Sequence, residues 1–80
     1  MAKLTKLDRQ WHELMFLCEK ESAYRDDASH PKLLKLVTAQ IEDLAHQMGF
    51  SERQIQTREF RAERSGERIV RIAVDPPQPQ

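Results

Sequence analysis

The stretch Ser29–Ser51, SHPKLLKLVTAQIEDLAHQMGFS, decides how the rest of the chain must fold, because it reads as a helix with both ends marked. Leu34, Val37, Ile41, Leu44, Ala45 and Met48 recur at three- and four-residue spacings and share one face. Lys32, Lys35, Glu42, Asp43 and His46 fall on the other face. Ser29 or His30 is placed to cap the start, with Pro31 in the first turn, where a missing N–H costs nothing. Gly49 suits the left-handed residue beyond the last turn, and Phe50 the apolar contact of a Schellman-type stop.

An apolar helix face needs a facing surface, and the preceding segment offers one. Residues 3–24 place Leu4, Leu7, Trp11, Leu14 and Cys18 in a heptad-like seam that Met15 widens. The economical arrangement is an antiparallel helical hairpin closed by the connector Arg25–His30. Phe16 and Leu17 lie off that seam, so the middle of the first helix is apolar nearly all round and predicts a second neighbour. Asp26 and Asp27 sit near the positive end of the second helix, where negative charge is favoured. Two carboxylates without further oxygen ligands do not make a cation site.

Downstream, Ser51-Glu52-Arg53-Gln54 matches a capping box and starts a new helical turn. Arg68–Val74, RIVRIAV, is the clearest strand by β-branched content, and a strand requires a partner. Arg64-Ser65-Gly66 reads as a three-residue hairpin loop, which pairs Glu63 with Glu67, Phe60 with Val70 and Arg58 with Ile72. In that register Phe60, Ala62, Val70, Ile72 and Val74 form the face that covers the helices. The alternative is an extended third helix through residue 64, with little apolar surface to hold it. The expected fold is α+β: an antiparallel helical hairpin, a short helical turn and a C-terminal two-stranded β-hairpin, completed by dimerisation. Residues 1–75 form the single domain, and residues 76–80 a disordered Pro-rich tail.

At 80 residues the core is thin, and a partner copy is one remedy. Thirteen basic and thirteen acidic side chains give zero formal charge, which withholds the broad attraction that polyanions exploit. The longest apolar run, Leu14–Cys18, is far too short for a membrane span, and MAKLTKLDRQ lacks a signal-type apolar core. One cysteine, Cys18, allows no intrachain disulfide. A soluble, cytoplasmic protein that neither spans nor binds a membrane is the expectation.

No catalytic, metal or cofactor-binding residues are assigned. His12-Glu13 opens HELMF, in which Phe16 replaces the second histidine of a zinc-binding HExxH, so the motif is lost. His12, His30 and His46 read as solvated helix histidines, with Glu42 one turn from His46. Two glycines are too few for a phosphate-cradling loop. From Ser51 to Asp75 six Arg meet five acids, a net charge of only +1, which points to cross-strand ion pairs.

Ile41–Ile55, IEDLAHQMGFSERQI, resembles the helix-turn-helix pattern of DNA-binding regulators: Leu44 and Ala45 inside the first helix, Gly49 at the turn, Ser51 opening the second, Ile55 pointing back to the core. The resemblance implies that Ser51, Arg53, Gln54 and Arg58 face phosphate or bases. The sequence departs from the pattern at Arg58, where a core residue belongs, and in the unbroken helix back to Pro31. The leading expectation is therefore a non-enzymatic protein–protein interaction module of adaptor or inhibitor type, acting as a homodimer. Trp11, Phe16, Leu17, Leu33 and Leu36 are its candidate interface. A transcriptional regulator that binds nucleic acid is the alternative.

Overall fold

The computed structural model describes residues 4–74. The helix read from Pro31 spans Pro31–Met48 (α2), antiparallel to Lys6–Asp26 (α1). Its stop is a Schellman motif: the Gly49 amide donates to His46 and the Phe50 amide to Ala45, both at 3.1 Å, with Gly49 at φ +96°. At the other end His30 occupies the cap position without a side-chain cap bond. Instead Asp27 holds the connector, accepting from the Ser29 amide at 3.1 Å, and Pro31 supplies the fixed first turn.

Thr5 begins α1 through a capping box with Asp8. Leu14 and Leu17 of α1 pack with Val37, Ile41, Ala45 and Met48 of α2 in the core. The second neighbour expected on the Phe16 side of α1 is not found among the described elements: Phe50 and β2 cover the Trp11 side of the helix instead, and Phe16 stays exposed.

A second capping box, Ser51 with Gln54, opens α3, Glu52–Thr57. This helix is six residues long and ends in another left-handed residue, here Arg58 at φ 59°. The chain then turns into β1 (Ala62–Ser65) and β2 (Arg68–Ile72), an antiparallel pair, so the α+β architecture is as expected from sequence.

The hairpin register differs from the expected one. Ser65 pairs with Arg68 across a two-residue loop, Gly66-Glu67. Gly66 has φ +66° and Glu67 does not have positive φ, the type II′ pattern that suits strand twist. Glu63 pairs with Arg71 and Arg64 with Ile69, leaving Val70 as an extra residue in β2. An unbroken strand would send Ile69 and Ile72 to opposite faces; the bulge turns both inward, at 5% and 8% exposed. Val70 and Val74, expected on the covering face, are exposed, whereas Phe60, Ala62 and Ile72 do lie against the core. The two-residue loop removes the unfavourable Glu63–Glu67 pairing, and the bulge then sets Glu63 opposite the basic Arg71 instead of Val70.

Candidate functional site

Two polar clusters and one open face follow from this arrangement. The first cluster is buried. Glu21, 3% exposed, accepts two bonds from the Arg58 guanidinium, Nε to Oε1 at 2.9 Å and Nη2 to Oε2 at 2.8 Å. Thr38 Oγ1 donates to Glu21 Oε2 at 2.8 Å, and Arg25 approaches at 3.7 Å. One carboxylate thus ties α1, α2 and the end of α3 together. The Arg58 bonds hold the Glu21 carboxyl below its ordinary range, against the opposing effect of burial, and the same pairing raises Arg58. Arg58 also donates to the Ile55 carbonyl, closing α3. Burial pushes the neighbouring Cys18 thiol up, which disfavours a reactive thiolate.

The second cluster fastens the hairpin. Asp8 accepts from the Ile69 amide at 2.8 Å, and from the Thr5 amide and hydroxyl at 2.9 and 2.7 Å. These bonds, led by that from Ile69, lower its carboxyl to about 2. Gln54 Nε2 donates to the Ala73 carbonyl at 2.9 Å, fixing the far end of β2 to α3.

These clusters bear on the helix-turn-helix resemblance. Arg58, assigned there to phosphate or bases, has its guanidinium bound to Glu21. Gln54 is 5% exposed, with its amide spent on Ala73 and on the Ser51 amide. Ser51 serves as the cap, and Arg53 is exposed but has a partner within the molecule. Helix α3 is a turn and a half long, less than a groove-reading helix presents. Sequence could show the cap at Ser51, but not that a carboxylate thirty-seven residues earlier claims Arg58.

The histidines stay at the surface. His46 Nε2 meets Glu52 Oε1 at 2.8 Å rather than Glu42, because the Schellman turn brings the start of α3 back beside the end of α2. His30 lies 3.6 Å from Asp27, and His12 is exposed. Among the described residues, no group of three or more His, Cys, Asp or Glu side chains could hold a metal ion.

The open face is the side of the α1–α2 pair away from the hairpin. The molecule is a plate, 46 × 40 × 17 Å, and no described element covers this side. Two adjoining hollows run along the seam. One, of about 240 Å³, is lined by Leu17, Lys20, Tyr24, Leu33, Leu36, Val37 and Gln40. The other, of about 220 Å³, is lined by Glu13, Leu17, Gln40, Asp43, Leu44 and Gln47. Leu17 and Gln40 belong to both and mark the middle.

Of the expected interface residues, Phe16, Leu33 and Leu36 are 54%, 43% and 56% exposed, and both leucines line the first hollow. Phe16 stands beside it, with Lys20 Nζ 4.7 Å above its ring. Leu17, expected as surplus surface, is a buried floor shared by the core and both hollows. Trp11 belongs to the opposite side: its ring is 6.4 Å from Phe50 and 6.0 Å beneath Arg64, and Phe60 extends the cluster at 4.9 Å from Phe50.

No family model, no functionally described protein and no solved structure matches the chain significantly. No helix among the described residues is long and apolar enough to cross a membrane.

Proposed function

We propose that this protein is a non-enzymatic interaction module, of adaptor or inhibitor type, which docks another polypeptide on the open α1–α2 face. The observation that carries the reading is the exposure of Phe16, Leu33 and Leu36 around a seam whose opposite side is met by β2 on α1 and by α3 on α2. Scattered exposed apolar side chains are ordinary, but three large ones beside a groove form an unpaid apolar patch of the kind that marks protein contacts. The face is also bordered by Glu13, Lys20, Asp43 and Gln47, which supply the polar rim of such a surface.

The reading is tested by placing a photo-crosslinking side chain at Leu36 and, separately, at Glu67 on the hairpin loop, in the full chain expressed in its own cells. Protein adducts should form preferentially from Leu36 and disappear when Phe16→Glu is added. Equal yields from both positions, or adducts indifferent to Phe16→Glu, would remove the open face as the docking site.

A further inference from the structure

The charges that α1 places on the open face are self-complementary, and we infer that the occupant of this face is a second copy of this chain, related by a two-fold axis that crosses the seam at Leu17 and Gln40 at right angles to the helices. This rests on the docking reading above and adds the identity and orientation of the partner. The two ends of the face differ in charge. The end nearest the start of α1 carries Glu13 and Asp43; the end nearest its finish carries Lys20 among Leu33 and Leu36. Among the described residues neither Glu13 nor Lys20 has an ion-pair partner.

Two isologous stackings keep the helices of the two copies aligned. An axis running along the helices would set Glu13 and Asp43 of one copy on the same pair of the other, and like charges at close range oppose association. An axis across the helices lays α1 antiparallel on α1 of the second copy and exchanges the ends. Counted from Leu17, Lys20 lies three residues one way and Glu13 four the other, about 4.5 and 6 Å along the axis, so each Lys20 meets the opposite Glu13. Phe16, one residue from the axis, then stacks near its own counterpart between the two ion pairs. On α2 the same exchange lays the Asp43 and Gln47 end of the second copy over the hollow lined by Lys20, Leu33 and Leu36.

The size of the face is adequate. Eighteen residues of α2 span about 27 Å, and two helices side by side about 20 Å, so face-to-face docking covers about 1,100 Å² in total, counted over both copies. That is above the roughly 1,000 Å² a specific interface requires and near the lower end of stable ones.

Sedimentation equilibrium of the full chain at low salt reads the proposal directly. A dimer is expected, with a dissociation constant raised about tenfold or more by Lys20→Glu and by Glu13→Lys separately. The double variant Lys20→Glu with Glu13→Lys should return to within about threefold of the original, because the pair is reversed rather than broken. Both substituted positions are exposed, so circular dichroism should show unchanged folding in all three variants. A chain that stays monomeric at about 1 mM, or a dimer in which the double variant is as weak as the sum of the single ones, overturns the second copy or its orientation. Monomers that still give Leu36 adducts with a different protein overturn this inference and leave the docking reading standing; absence of any Leu36 adduct removes both.

Discussion

Arg58 and Glu21 are thirty-seven residues apart in sequence and share two parallel bonds, at 2.9 and 2.8 Å, in a place where Glu21 is almost wholly shielded from water. Arg58 reaches it from a left-handed backbone conformation that a β-carbon normally disfavours. The ion pair and the turn therefore support one another: the turn aims the guanidinium, and the pair holds the turn. Arg58→Ala leaves a buried carboxylate with only Thr38 and a distant Arg25, and should cost about 3–5 kcal/mol in urea denaturation. Arg58→Gly removes the same pair but relieves the backbone, so it should be about 1 kcal/mol less damaging than Arg58→Ala. Equal losses would show that the turn carries no strain.

Acid should loosen the hairpin before it destroys the helices. Asp8 in the folded protein titrates near 2, below its ordinary 3.8, because the Ile69 and Thr5 donors require an ionised acceptor. A depressed carboxylate contributes stability that is complete above the unfolded value and is lost as pH falls from about 3.8 towards about 2. Glu21 is lowered as well and acts in the same direction, so the local probe matters: exchange of the Ile69 amide proton. Its protection should fall across that window in the natural chain. In Asp8→Asn it should be weak already at neutral pH and change little on acidification.

Gly49 is required for its backbone alone. A β-carbon there would meet nothing within 4 Å, yet φ is +96°. Gly49→Ala should therefore destabilise by about 1 kcal/mol, and Gly49→Asn by less, since asparagine tolerates left-handed geometry better. A much larger loss in thermal unfolding would mean that the Schellman turn, through Phe50 and the start of α3, controls more of the fold than its two bonds indicate.

Local signals made most of this architecture legible. The Pro31 start, the Gly49-Phe50 stop and the Ser51–Gln54 box are each written within a few residues, and each lies where its chemistry requires. The bulge at Val70 was not legible, because it is the core that chooses Ile69 over Val70 and no turn residue announces the choice. The Arg58–Glu21 and Asp8–Ile69 links were hidden for a similar reason. A charged residue on a helix reads as surface until the fold brings its distant partner against it. On the candidate site, exposure separated what periodicity had grouped: Phe16, Leu33 and Leu36 face outward, while Leu17 and Trp11 are engaged within the chain.

That separation makes a last contrast measurable. Leu14 has no exposed surface and lies between α1 and α2, so Leu14→Ala removes buried methyl groups and leaves a cavity, at about 3–5 kcal/mol. Leu36, 56% exposed, contributes little to a single chain, and Leu36→Ala should cost less than about 0.5 kcal/mol in dilute solution. The two differ again with protein concentration. If the open face is covered by another copy, the cost of Leu36→Ala should grow as concentration rises, because association stabilises only the folded form that retains the leucine. The cost of Leu14→Ala should grow far less. A Leu36→Ala penalty that is already large at low concentration would place Leu36 in the core of the single chain, and the open face would lose its meaning as a surface for docking.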